Sequence, residues 1–141
     1  MKTIVIYLAH PAHFHLFKNV IPLLKRQNIV YIVYNEKDVL EELISSSSFS
    51  NISYKVQTNK QINSKFSLIL QFLMKVFGAY KYLRKIKPDL VVGTSILVSL
   101  LGKVLKYKSI IVNEDDFDII SKTSNLGYPF ADHILSPIVC R

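Results

Sequence analysis

The chain has 141 residues, half of them hydrophobic, with 18 Lys and Arg against 10 Asp and Glu. That length and composition suit one domain with a real core and exclude disordered, collagen-like and linker-like chains. A single cysteine, Cys140, excludes an internal disulfide framework or a multi-cysteine zinc cluster, and the net charge of +8 favours anionic partners.

Thr3 to Leu8 is a continuous β-rich run, which reads as a strand covered on both faces. It is too short for a signal peptide, and it leads into the polar segment His10-Pro11-Ala12-His13. Phe14, Phe17, Ile21 and Leu24 then recur at helical spacing, which predicts a helix over Phe14 to Gln27 that Pro22 kinks or delays. Ile29 to Tyr34 predicts a second strand. Asn35 is placed to cap a helix over Glu36 to Ile44, and Ile52 to Val56 makes a third strand.

Gln57 to Ser64 is polar loop. Phe66 to Ile86 predicts a long helix ending in Lys81, Arg84, Lys85 and Lys87 and closed by Pro88. Its apolar run is broken by Gln71 and Lys75, so no transmembrane span is expected. Leu90 to Val92 is a fourth strand, and the turn Gly93-Thr94-Ser95 feeds a helix over Ile96 to Leu105. Ser109 to Val112 is a fifth strand, followed by the acidic loop Asn113 to Asp116 and a helix from Phe117 to Thr123. His133 to Leu135 is a short sixth strand.

Strands alternating with helices predict a doubly wound parallel α/β sheet with helices on both faces. Residues 1–141 form one such domain, and the chain ends where a doubly wound half would finish. Ile4, Val5, Ile6, Val30, Ile32, Leu90, Val91, Val92, Ile110 and Ile111 are its expected sheet core. With strand order 3-2-1-4-5-6, the loops after strands one, four and five open onto one crevice at the carboxyl edge.

Three of the four histidines fall within His10 to His15. A neutral imidazole there can serve as a general base and a charged one can hold a phosphate. A capped helix start with one buried, hydrogen-bonded histidine explains the same residues. His13 is the strongest functional candidate. The spacing also admits a metal, but no second ligand cluster supports one. Gly93, Thr94 and Ser95 precede a helix, where backbone N–H groups can meet an anion, or where they simply make a turn. They form neither a P-loop nor a dinucleotide fingerprint. Glu114, Asp115 and Asp116 offer a carboxylate, or merely suit a helix N-terminus. The basic helix end fits an anionic membrane surface or a solvated face. No nucleic-acid-binding signature is present.

The segments HPAHFHLFKN, KPDLVVGTS and GYPFADHILSP, in that order, resemble the domain-of-unknown-function 354 family. That family is regarded as related to GT-B glycosyltransferases and to non-hydrolysing UDP-N-acetylglucosamine 2-epimerases. The resemblance covers essentially the whole chain and implies a Rossmann-like, N-terminal half of a GT-B architecture, the C-terminal domain being absent. It implies the acceptor side of a sugar-nucleotide glycosyltransferase in cell-surface polysaccharide or glycolipid synthesis. The alternatives are half of a UDP-sugar 2-epimerase, or a non-catalytic partner or truncated domain.

In such an enzyme His13 and Glu114 are candidate bases, and His10, His15, Gly93, Thr94, Ser95 and Asp115 candidate substrate contacts. The epimerases carry an aspartate after the strand-four glycine, where this chain has Thr94, which argues against their reaction. The donor, a UDP-sugar or other sugar nucleotide, is expected to be held mainly by the missing domain, so catalysis is not expected of this chain alone. No cofactor, metal or nucleic acid is expected. The location implied is cytoplasmic, peripheral to the inner face of the membrane if the basic helix end docks there.

Overall fold

The computed structural model describes residues 1–57, 65–113 and 125–136. Six strands, β1 (Thr3–Leu8), β2 (Ile29–Asn35), β3 (Ser53–Val56), β4 (Leu90–Gly93), β5 (Lys108–Val112) and β6 (His133–Leu135), form one sheet. Its order is β3-β2-β1-β4-β5-β6, and every pairing is parallel. The expected doubly wound α/β fold is therefore what the sequence adopts. The apolar runs of β1 and β2 behave as strands buried on both faces.

Among the described residues, helices α1 (Pro11–Phe17), α2 (Val20–Lys25), α3 (Asp38–Ser45), α4 (Lys65–Ile86) and α5 (Leu97–Leu105) cover the sheet. One core lies beneath α1, α2 and α3 and contains Ile4, Ile6, Leu8, Phe14, Phe17, Ile21, Val30, Ile32 and Leu40. The other lies beneath α4 and α5 and contains Val5, Tyr7, Val33, Val56, Ala79, Leu83, Val91 and Leu101. Alternate residues of β1 feed opposite cores, as the two-residue period of a strand requires.

Three expectations need correction. The helix over Phe14 to Gln27 is two helices, α1 and α2, separated at Lys18 and Asn19. Pro22 lies in the first turn of α2, where its missing N–H is harmless. A helix continuing from α1 would drive its ring against the Lys18 carbonyl. Asn35 caps no helix. It ends β2 and is buried, its Oδ1 accepting a hydrogen bond of 2.7 Å from the Tyr7 hydroxyl, and Lys37 stands at the start of α3 instead. Burial raises the Tyr7 pKa above its ordinary value more than the Asn35 bond lowers it, so the phenol is neutral and donates.

Leu90, Val92 and Ile110 are only half-buried, against the expected core position. They share the sheet face of Ile4 and Ile6. Among the described residues, the main contacts of α1 and α2 with the sheet fall on β1 and β2, and Leu90 and Val92 pack at the margin of that core.

Asp132 fastens β6 to the sheet. Its carboxylate accepts from the Ser109 N–H at 2.9 Å, the Ser109 hydroxyl at 3.0 Å and Lys108 Nζ at 3.1 Å. The Ser109 backbone bond, with Lys108 next, lowers its pKa from 3.8 to about 2. A pKa depressed on folding contributes stability that is full above the unfolded value and lost as pH falls through the folded one. Asp132→Asn should therefore be less stable at neutral pH and lose less than the parent between about pH 4 and 2. Denaturant melts followed by tyrosine fluorescence across that range check it, and identical pH slopes would refute it.

Candidate functional site

The helices after β1 pack on one face of the sheet, and α5, which follows β4, packs on the other. The chain thus leaves the neighbours β1 and β4 in opposite directions. This is the switch point at which an open α/β sheet forms a crevice at its carboxyl edge. Ala9 to His13 lie on one side, and Thr94 and Ser95 on the other.

Two histidines secure the start of α1. His10 is the N-cap residue, and its Nδ1 accepts from the Ala12 N–H at 3.3 Å. His13, at the third helical position, reaches back so that its Nδ1 accepts from the Ala9 N–H at 3.2 Å. The two imidazoles thus satisfy one backbone N–H inside the first turn and one just before it. Pro11 occupies the first helical position, where it loses no hydrogen bond. Phe14 and Phe17 are buried beneath the turn, which holds His13 against the crevice.

His13 is buried, with 8% of its surface exposed, whereas His10 and His15 are exposed. Thr94 Oγ1 stands 2.9 Å from both of its ring nitrogens. Nδ1 accepts from Ala9, so a neutral ring carries its proton on Nε2, and Thr94 Oγ1 lies within hydrogen-bond reach of that nitrogen. One side-chain bond therefore joins the loops after β1 and β4.

Gly93 makes the close approach possible. It pairs with Tyr7 across the ladder, and a Cβ on it would lie 2.7 Å from the Tyr7 carbonyl oxygen. Ser95 serves the start of α5, its Oγ accepting from the Leu97 N–H at 3.3 Å and its carbonyl from the Val98 N–H at 3.0 Å.

The structure brings His10, His13, Gly93, Thr94 and Ser95 to one edge. His15 sits one residue pair along α1, its ring edge-on to Phe14 at 5.8 Å. Glu114 and Asp115 lie outside the described residues, as do Asp116, the helix expected from Phe117 to Thr123, and Cys140. Asn113, which follows β5, donates its N–H to the Leu135 carbonyl at 2.7 Å. Among the described residues no three His, Cys, Asp or Glu side chains converge as metal ligands. None of the described helices is long and apolar enough to cross a membrane.

Sequence reasoning missed the part played by Asn35 and Tyr7 beneath this edge. Alternation alone marks both as strand residues, and their pairing follows only once the β1–β2 register is known.

No family model matches the sequence, and no curated protein matches it. The fold does match solved structures. The MurG crystal structure from Acinetobacter baumannii aligns over the whole chain with a TM-score of 0.76 at 15% identity. The UDP-GlcNAc 2-epimerase of Neisseria meningitidis, solved bound to UDP-GlcNAc, aligns over 92% of the chain with a TM-score of 0.67 at 12% identity. The chain spans about two fifths of those proteins, 43% and 39% of their lengths respectively. Its architecture is thus that of one half of a GT-B protein.

Proposed function

We propose that this chain is the acceptor-side domain of a GT-B-like sugar-nucleotide glycosyltransferase, acting in the synthesis of a cell-surface polysaccharide or glycolipid. The three motifs around His13, Gly93 and His133, which resemble the domain-of-unknown-function 354 family, support this reading. The observation that carries the reading is the His13–Thr94 bond at 2.9 Å, formed across the switch point where a GT-B half opens its crevice.

Glycosyl transfer needs a base for the acceptor hydroxyl and donors for the departing diphosphate. His13 and Glu114 are the candidate bases. Thr94, fixed by His13, presents a hydroxyl to the acceptor, and His10, His15, Ser95, Gly93 and Asp115 complete the proposed contacts. The donor, a UDP-sugar such as the UDP-GlcNAc bound by the Neisseria epimerase, would be held mainly by a second Rossmann-like domain. Thr94 after Gly93, in place of the aspartate the epimerases carry, favours transfer over epimerisation.

The test is to supply that second half. A reading frame encoding a second Rossmann-like domain, fused to this chain or adjacent to it, is co-expressed, and UDP release from UDP-GlcNAc is measured. Acceptor-dependent release from the pair, and none from this chain alone, is the expected result. Acceptor-independent conversion of the sugar at C2 would establish the epimerase alternative. A pair that does neither with any sugar nucleotide would mark a non-catalytic partner.

A further inference from the structure

In a sheet whose strands all run parallel, each crossover helix returns antiparallel to them, so helix ends and strand starts share one edge. That amino edge lies opposite the crevice. Helix α2 ends there in Lys25 and Arg26, α4 in Arg84, Lys85 and Lys87, and α5 in Lys103 and Lys106. Lys2 leads into β1 and Lys108 begins β5. All nine cations are exposed.

Two acids share the edge, and both are occupied. Asp89 accepts from the Thr3 N–H at 2.7 Å, and Asp132 holds Ser109 and Lys108. The other positions of the chain carry nine cations and eight acids, so nearly all of the +8 charge belongs to this edge. Helix dipoles do not account for it. Each helix end contributes roughly half a negative charge, so α2, α4 and α5 together offset fewer than two cations. Helix α3 ends at the same edge in serines, with no basic residue in its last turn.

Two of these lysines also hold an unfavourable backbone. Lys87 (φ 52°) and Lys106 (φ 61°) are left-handed, and each gives its N–H to the carbonyl four residues back, of Leu83 or Gly102. Glycine or asparagine ends a helix there with less strain, yet both positions carry a cation. Beside each lies a depression. Buried Leu83 and Pro88 and half-buried Leu105 floor one, with Arg84 and Lys87 on its rim. The last turn of α5 separates it from the other, where Lys103, Lys106 and Lys108 surround the buried Tyr107.

We infer that this edge is a docking surface for an acidic segment of a partner protein. An apolar residue of that segment enters the first depression, and its carboxylates meet Arg84, Lys87 and Lys106. Charge complementarity of this kind steers the encounter, and the apolar floor adds a contact that salt does not screen. A nucleic acid, bound through phosphate and sugar, brings nothing to fill that floor. Because the crevice opens at the opposite edge, docking leaves it accessible.

The test is fluorescence anisotropy of a labelled peptide with five glutamates on each side of one leucine, titrated with the whole chain in about 0.1 M salt. Binding is expected, and serine in place of the leucine should weaken it about fivefold. Lys87→Asn with Lys106→Asn should weaken it about five- to tenfold. Asparagine tolerates a left-handed backbone, so this variant should melt no lower than the parent. Lys18→Asn with Lys37→Asn removes the same charge from exposed positions elsewhere and should bind like the parent.

The assay involves no sugar donor, so its failure leaves the proposed transfer reaction untouched. Absence of peptide binding, or a Lys87 and Lys106 variant that binds like the parent, would overturn the proposal. So would equal weakening by the Lys18 and Lys37 changes, or leucine and serine peptides of equal affinity. A DNA duplex of equal charge that binds more tightly than the peptide would likewise overturn it.

Discussion

His13→Ala, in protein supplied with its second half, should lower turnover roughly 10²–10⁴-fold if His13 is the general base. The same change strips the Ala9 N–H and the Thr94 hydroxyl of a partner, at a cost of about 1–3 kcal/mol in stability. Alanine alone therefore confounds chemistry with architecture. His13→Gln separates them, because glutamine at the third helical position can still accept from the backbone behind it and donate forward to Thr94. It cannot take up a proton.

A folded His13→Gln variant as inactive as His13→Ala identifies the imidazole as the base. One that keeps turnover makes His13 a positioning residue and turns attention to Glu114. The geometry gives that second outcome weight, since in the ring form described Nδ1 already accepts from Ala9 and Nε2 carries the proton. To act as base, the ring must first release one of these bonds. His133→Ala, at the exposed start of β6, should change turnover little.

The second large effect is expected at Gly93. An added methyl there meets the Tyr7 carbonyl, a backbone atom held in the ladder, and comes within 3.1 Å of Val98 Cγ2. Neither strand can retreat without loosening the centre of the sheet. Gly93→Ala should cost about 1–3 kcal/mol, a drop in melting temperature of roughly 5–10 °C. It should also move Thr94 away from His13. Gly102→Ala is the control, because its nearest contact is 3.2 Å, to the Tyr107 ring, and alanine is the better helix former. Thermal melts of the two variants should differ clearly. Equal melting temperatures would mean that the β1–β4 approach is not what Gly93 serves.

Much of this was legible from residues alone. Uninterrupted runs such as Ile4 to Leu8 mark strands buried on both faces, and their alternation with helical spacing implies the parallel order. That order in turn brings His13 and Thr94 together, although 81 positions separate them. What escaped depended on competing partners. Asn35 has the chemistry of a helix cap, but a buried phenol across the strand claims it. Pro22 has the chemistry of a helix breaker, but its effect falls four residues earlier, at the carbonyl its ring would strike. Leu90, Val92 and Ile110 have the right hydropathy for the core. Hydropathy does not say which stretch of a face a helix will cover.

The central place of β1 has a consequence for the order in which the chain can fold. β1 finds β2 within the first 35 residues, but its other neighbour, β4, does not exist until residue 90 has been made. Through that interval during synthesis the most fully buried strand of the sheet has one edge unpaired. The loop that must close to cover it spans more than half the chain, the sort of non-local pairing that slows folding. An open, apolar strand edge is also the usual template for misassociation. The β1–β4 junction that shapes the crevice is thus also the step at which a nascent chain has most to gain from a chaperone.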